Sequence, residues 1–182
     1  MGSAGLRHLK LLKKINSKIV THAVSSSGNI RGRKRKSINF LHKDFKFLDK
    51  INVDKAIIAS PATFHEEHAA YFSKLEIPVL IEKPLTADIT SAERLNKIYS
   101  YKPQLIKIAY CLRFLTSAQK IKRIIDSKEM GEVYNVIVNA GQFLPDWRQK
   151  SFTKSVSAQK SLGGGVLLEL SHELDYLQWF FG

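Results

Sequence analysis

The stretch KAIIASPATFHEEHAAYFSKLEIPVLIEKP, residues 55–84, predicts a strand, a helix and a second strand in succession. KAIIAS and PVLIEK are short apolar runs bounded by Ser, Pro or charged residues, which is typical of buried strands. The segment between them carries apolar positions at helical spacing. Because a strand, a crossover helix and a parallel strand form the repeating unit of α/β sheets, this stretch predicts a parallel sheet.

The same alternation extends to both sides of this stretch. Further strands are predicted at KIVTHAVS (18–25) and LIKIAYCL (105–112). Further helices are predicted at LRHLKLLKKI (6–15), TSAERLNKIYSY (90–101) and TSAQKIKRIIDSKEMG (116–131), the last two opening on a Thr or Ser cap. We therefore expect an α/β fold with a Rossmann-like doubly wound parallel sheet.

The pattern changes near residue 110. A long strand, EVYNVIVNAG (132–141), and a tryptophan-bearing loop follow the helix that starts at Thr116. We interpret residues 1–109 as a nucleotide-binding Rossmann domain and residues 110–182 as the beginning of an α+β C-terminal domain for substrate binding and dimerisation.

Composition restricts the class of protein. At 182 residues and 44% apolar content, the chain can bury a core as one good-sized domain or two small ones. Cys111, the only cysteine, cannot form an intramolecular disulfide, and no window approaches the roughly 18 consecutive apolar residues of a membrane span. We expect a cytoplasmic protein without membrane attachment.

The formal net charge of +13 raises the alternative of a nucleic-acid-binding module. Its densest basic segment is RGRKRK, residues 31–36. Nucleic-acid binding needs a groove-entering motif or interleaved aromatic residues as well as charge, and this segment has neither. A solvated basic loop is the favoured interpretation, and we expect no nucleic-acid partner.

Glycine-rich and charged motifs follow the predicted elements in a fixed order. They are GSAGLRH (2–8), SPATFH (60–65), EKP (82–84), LRF (112–114) and GGGVLLELSHELD (163–175). The first is half of a GxGxxG loop, whose backbone amides and helix dipole hold a pyrophosphate. Five motifs in this order resemble the glucose-fructose oxidoreductase and inositol dehydrogenase (Gfo/Idh/MocA) family of nicotinamide-dependent sugar dehydrogenases.

This resemblance implies an NAD(P)-dependent oxidoreductase that transfers hydride between a nicotinamide cofactor and a sugar or sugar-derivative alcohol. The chain departs from the family pattern in three places: Ala62 replaces Asn, Leu115-Thr116 replaces His-Pro, and Glu169 precedes His172 by three residues instead of an Asp by four. These departures resemble a branch that acts on sugars of cell-surface polysaccharide pathways. The alternative is a non-catalytic or inactive fragment of the same fold.

The resemblance also assigns roles to individual residues. It makes His172 the general acid/base, Lys83 the cation beside the reacting hydroxyl, and Glu169 a group that orients or tunes His172. Substrate recognition is predicted for Arg113, Trp147 and Arg148, and no metal site is expected. The residues assigned to the cofactor are Gly2, Ser3, Gly5, Arg7, His8, Ser60, Pro61, His65, Glu82 and Lys83.

Cofactor preference depends on the end of the strand KIVTHAVS. Ser25 stands where an NAD enzyme usually places Asp or Glu for the ribose 2′-hydroxyl, and Arg31 follows closely. With no acid to repel a 2′-phosphate, Ser25 and Arg31 are predicted cofactor contacts, and NADP is favoured over NAD.

Helical periodicity divides the predicted final helix into a polar face and an apolar stripe. At about 100° per residue, Glu169, His172 and Tyr176 share a polar face, whereas an apolar stripe is predicted to face a core. The stripe consists of Leu167, Leu170, Leu174, Leu177 and Phe181. Periodicity alone favours a solvated polar face, and the resemblance favours catalysis by His172.

The strand order of the fold raises one further expectation. In the order 3-2-1-4-5-6, the first strand is central and precedes the glycine loop, yet only Met1 precedes Gly2. We expect KIVTHAVS and KAIIAS to flank a gap in the sheet and an isolated chain to bind cofactor weakly. The full-length protein is expected to be a homo-oligomer.

Overall fold

The computed structural model of the protein describes residues 2–25, 38–147 and 152–182. Five short parallel strands form the centre of the fold. They are β1 (His22–Val24), β2 (Phe40–His42), β3 (Ala56–Ile58), β4 (Val79–Ile81) and β5 (Ile106–Ile108). β1, β3, β4 and β5 lie within predicted apolar runs, whereas β2 was not predicted. The predicted α/β class with parallel strands is confirmed.

The strands divide into two sheets. β1 pairs with β2, with His22 opposite Phe40. The second sheet has the order β3-β4-β5, with Ile58 opposite Ile81 and Ile81 opposite Ile108. Within the described residues no strand joins β1 to β3.

Helices follow the strands as the periodicity predicts. They are α1 (Ser3–Ile15), α2 (His65–Lys74), α3 (Ile89–Tyr99), α4 (Thr116–Asp126), α5 (Leu144–Trp147), α6 (Val166–Glu169) and α7 (Ser171–Phe181). None of the described helices has both the length and the apolar character that crossing a bilayer requires.

The predicted Thr or Ser caps are wrong. The cap of α3 is Asp88, whose carboxylate accepts a hydrogen bond from the Ser91 amide at 2.9 Å. At α4, Leu115 occupies the cap position without a side-chain hydrogen bond, and Thr116 is already helical. Asp satisfies an otherwise unpaired amide of the first helical turn as well as Thr does, so periodicity alone misplaced the start of α3.

The core lies between the three-stranded sheet and the helices α2 and α3. Ala69 and Ile81 are completely buried, and the Tyr99 hydroxyl donates to the Ala69 carbonyl at 2.8 Å inside the core. The cluster contains Leu48, Ile58, Ala69, Phe72, Ile77, Val79, Ile81, Leu95 and Tyr99. This packing fixes β4, whose carboxyl end leads into EKP.

The segment EVYNVIVNAG is not a strand. Residues 132–141 have no regular secondary structure and are exposed along their length, with Ile137 85% and Tyr134 93% accessible. A strand needs a partner for its amides and carbonyls, and no described segment is paired with 132–141. Alternating apolar residues alone therefore misled the prediction.

The predicted continuous final helix is also wrong. It is broken at Leu170, whose φ of −97° and ψ of 27° separate α6 from α7. The apolar stripe does not face a core, because Leu167 and Leu174 are 71% and 56% exposed. The break changes the direction of the chain, so residues on its two sides no longer share one helical face.

Candidate active site

Lys83 and Glu169 come together at the carboxyl end of β4. The Lys83 ammonium donates to the Glu169 backbone carbonyl at 2.7 Å, and its Nζ lies 3.9 Å from Glu169 Oε2. Both side chains are about one-fifth exposed, at 19% and 18%. Two of the three predicted catalytic residues are thus in contact, across 86 positions of sequence.

His172 lies in the first turn of α7, where the charge of Lys83 acts on it. Burial lowers the pKa of His172 below its usual range and the Lys83 ammonium lowers it further, although Glu173, Asp175 and Glu82 act in the opposite direction. Its Nδ1 is buried without a hydrogen-bond partner. A low pKa favours the neutral imidazole, which can accept a proton.

Tyr110 and Asp175, to which the sequence assigned no role, contact two of the predicted site residues. The Tyr110 ring meets the His172 ring edge-on, with 5.6 Å between centroids. Asp175 accepts two hydrogen bonds from Arg113, at 2.8 Å from Nε and 2.7 Å from Nη2. The spacing of three residues between His172 and Asp175 places them on one side of a helix and could have indicated Asp175 from the sequence. Nothing in the sequence indicated Tyr110.

Arg113 is therefore occupied by a carboxylate of its own chain. Its guanidinium carbon also lies 5.8 Å from the centre of the Trp179 ring, in cation–π geometry. Its predicted role in substrate binding stays a prediction, now with Asp175 as a competing partner. Of the other two substrate predictions, Arg148 lies outside the described residues, and only the backbone of Trp147, at the end of α5, is described.

Glu82 connects the end of β4 to α1. Its Oε1 lies 2.7 Å from His8 Nε2 and 3.0 Å from Arg7 Nη2. Burial opposes ionisation of Glu82, but the hydrogen bonds and charges of His8 and Arg7 outweigh it and hold the pKa of this carboxyl below its usual range. Three predicted cofactor residues therefore form one cluster.

The N-terminus of α1 is open on one side. Gly2 occupies the cap position, no acidic residue lies in the first turn, and a Cβ added at Gly2 would meet no atom within 4 Å. An open cavity of about 380 Å³ adjoins this helix, lined by Ser3, Leu6, Arg7, Lys10 and Leu11. A helix N-terminus flanked by cations and free of acids suits an anion such as a pyrophosphate. Gly5 lies within the same first turns.

His65 is almost fully buried, at 1% exposure. Its Nδ1 lies 3.0 Å from the Pro84 carbonyl oxygen and 3.1 Å from that of Leu85, and its Nε2 lies 2.9 Å from the Ser60 carbonyl. His65 thus ties the turn containing Ser60 and Pro61 to the turn after Lys83. As a direct cofactor contact it stays a prediction.

Two of the three consecutive glycines are required by close contacts. A Cβ at Gly164 would lie 2.2 Å from the Val156 carbonyl oxygen and 2.7 Å from that of Ser157. Gly163 has φ +80°, and a Cβ there would lie 3.1 Å from the Cβ of Ala62. The departure at Ala62 therefore lies directly against the glycine segment, and the segment brings Glu169 to Lys83.

Of the two residues predicted to set the cofactor preference, the structure describes Ser25 alone. Ser25, just after β1, is 5% exposed, and Arg31 lies outside the described residues. Across residues 2–25, 38–147 and 152–182, no three His, Cys, Asp or Glu side chains form a group that could hold a metal ion.

Family models match nearly the whole chain. Residues 1–110 match the Gfo/Idh/MocA oxidoreductase family with an NAD-binding Rossmann fold, and residues 118–182 match the Gfo/Idh/MocA C-terminal domain. Inositol 2-dehydrogenase 2 of Saccharopolyspora erythraea is 29% identical over 152 residues, which cover 78% of this chain and 39% of that protein. The chain therefore spans about two fifths of the length of this curated relative.

Solved structures show the same fold. The chain matches myo-inositol 2-dehydrogenase from Lactobacillus plantarum with a TM-score of 0.77 and 23% identity, over 98% of this chain and 53% of that one. It matches the WlbA dehydrogenase from Thermus thermophilus, solved with NAD and UDP-GlcNAcA, with a TM-score of 0.73 and 20% identity, over 100% and 60%. With the family models covering both halves, the chain belongs to the Gfo/Idh/MocA oxidoreductase family.

Proposed function

We propose that this chain carries the active site of an NAD(P)-dependent oxidoreductase that transfers hydride between a nicotinamide cofactor and a sugar or sugar-derivative alcohol. The observation that carries the proposal is the contact of the Lys83 ammonium with Glu169 at the carboxyl end of β4, where the same ammonium lowers the pKa of the partly buried His172. In open α/β sheets, ligands bind at this edge.

The residues present fit a nicotinamide dinucleotide. The open, acid-free N-terminus of α1 would hold the pyrophosphate, and Glu82, with Arg7 and His8, would lie beside the ribose and nicotinamide. When bound, the nicotinamide supplies the hydride acceptor or donor at its C4 position.

Residues of the chain itself accept the hydroxyl proton and stabilise the charge that its loss leaves on the substrate. In alcohol oxidation, the hydroxyl proton passes to the imidazole of His172. The Lys83 ammonium stabilises the negative charge that develops on the substrate oxygen. Glu169 holds Lys83 in place through its backbone carbonyl and adds a carboxylate 3.9 Å away.

The cofactor, substrate and setting follow as parts of the same proposal. NADP is favoured over NAD, because Ser25 replaces the usual acid and basic residues follow it in the sequence. Inositol dehydrogenases and a UDP-sugar-bound dehydrogenase among the similar proteins support a small sugar or cyclic polyol as substrate. We place the protein in the cytoplasm, in carbohydrate or cell-surface polysaccharide metabolism, as a homo-oligomer.

The test is turnover of inositols and nucleotide-linked sugars, followed by the absorbance of reduced nicotinamide. His172→Ala and Lys83→Ala should each lower turnover by about a hundredfold or more, whereas cofactor affinity should change less. Lys107→Ala, at an exposed position of β5, is the control and should keep parent activity. Turnover of His172→Ala within a fewfold of the parent would contradict the assignment, and cofactor binding without any turnover would favour the non-catalytic alternative.

A further inference from the structure

We propose that Arg113 and Asp175 form a positioning pair that fixes α7, and with it the imidazole of His172, against the sheet that carries Lys83. This proposal rests on the proposed function, because it assigns the pair a task in the same reaction. It gives Arg113 a positioning task in place of the substrate contact that the sequence predicted for it.

The imidazole of His172 has to be held in position by contacts of the helix that carries it. Catalytic histidines are usually oriented by a hydrogen bond from one ring nitrogen to a carboxylate or carbonyl. Among the residues that the structure describes, Nδ1 has no such partner and the ring of His172 meets the Tyr110 ring edge-on. The position of the imidazole therefore depends on where the backbone of α7 lies.

Three contacts fix that backbone to a single turn, residues 110–114. Tyr110 meets His172, and Arg113 binds Asp175 through a forked pair of hydrogen bonds. The same guanidinium lies over Trp179, one helical turn further along α7. Asp175 is only 8% exposed and Arg113 is 38% exposed, so the carboxylate side of the pair is buried. The forked, charge-assisted geometry makes such a pair stronger than a single-point ion pair.

The turn is itself continuous with the strand edge that bears Lys83. The Ala109 amide donates to the Ile81 carbonyl at 2.8 Å, and Lys83 follows two residues after Ile81. A rigid path therefore runs from β4 through Ala109 and the turn to Arg113, then to Asp175 and His172. Loss of the forked contact would free α7 to move relative to Lys83.

The decisive variant is Arg113→Lys, which keeps the positive charge but loses the fork. Because Asp175 still faces a cation, a purely electrostatic role predicts little change. A positioning role predicts a kcat lower by about tenfold to a hundredfold at nearly unchanged KM for the cofactor. It also predicts that the acid limb of the pH profile moves to higher pH, because an imidazole that leaves its buried position is protonated more easily.

Two further variants sharpen the test. Asp175→Glu in the Arg113→Lys background lengthens the carboxylate toward the ammonium and should restore part of kcat. Arg94→Lys is the matched control, because Arg94 makes a similar forked pair with Glu66, at 2.5 and 2.6 Å, far from His172. It should leave both kcat and the pH profile at parent values.

An NMR titration of the His172 imidazole, identified by its loss in His172→Gln, gives a readout that does not need turnover. If no sugar alcohol is turned over, the proposed function fails, while the titration still decides the positioning role. A higher titration midpoint in Arg113→Lys than in the parent and in Arg94→Lys supports the pair. A folded Arg113→Lys protein with the parent midpoint overturns it, as does parent kcat.

Discussion

The Lys83 ammonium lies 2.7 Å from the carbonyl oxygen of Glu169, so the nucleotide-binding half and the second half of the chain meet at a predicted catalytic residue. The same ammonium is close enough to His172 to lower its pKa. This coupling between a lysine and a histidine yields a prediction with a definite sign.

Lys83→Met should raise the pKa of His172. The positive charge of Lys83 disfavours the protonated imidazole, so its removal lets His172 bind a proton at higher pH. The pH below which alcohol oxidation is lost should therefore move upward, measured as kcat/KM against pH or by NMR titration of the imidazole. Lys107→Met is the control, and an unchanged midpoint in Lys83→Met would contradict the coupling.

Glu82→Gln should destabilise the protein at neutral pH but not in acid. The folded-state pKa of Glu82 is lowered, so its stabilising contribution is present above the unfolded-state pKa and disappears as pH falls through the folded-state value. Loss of its charge-assisted hydrogen bonds should cost about 1.5 to 3 kcal/mol near pH 7, measured by urea unfolding across pH.

The matched control for Glu82→Gln is Glu76→Gln, which removes an exposed carboxylate paired with Lys102. Exposed pairs contribute little because water screens them. Equal losses of stability in the two variants, or a loss for Glu82→Gln that persists in acid, would refute the role of Glu82.

Gly164→Ala should destabilise the fold by about 2 kcal/mol or more, because its Cβ would overlap two carbonyl oxygens. Gly141→Ala, where a Cβ meets no atom within 4 Å, should leave the melting temperature nearly unchanged. Thermal unfolding followed by circular dichroism compares the two. A Gly164→Ala protein as stable as Gly141→Ala would show that the close contacts of this glycine do not hold in solution.

NADP(H) should bind more tightly than NAD(H). Ser25 supplies no carboxylate to repel a 2′-phosphate, and Arg31 follows it in the sequence. Calorimetric titration of the purified protein with each cofactor measures the difference, and Ser25→Asp should reverse the order. Equal or tighter binding of NAD(H) by the parent would contradict this prediction.

Sequence periodicity located β1, β3, β4, β5 and the longer helices because each pattern depends on local burial, but it missed β2. It located β4 and α2 because their apolar positions face one shared core. It failed at residues 132–141 and at Leu170, because strand pairing and helix breaks depend on contacts with distant segments. The ordered motifs named Lys83 and Glu169, which the structure brings into contact, whereas the Arg113–Asp175 pair joins residues 62 positions apart that no local pattern connects.

The hydrogen bond that holds Lys83 is accepted by the main-chain carbonyl of residue 169, and the side-chain carboxylate adds an ion pair at 3.9 Å. Every amino acid offers the same carbonyl, so the lysine anchor tolerates any replacement of Glu169 that preserves the local backbone. The acid at this position is then free to change with the substrate while the lysine stays in place, and a variant such as Glu169→Gln would separate tuning of His172 from the anchoring of Lys83.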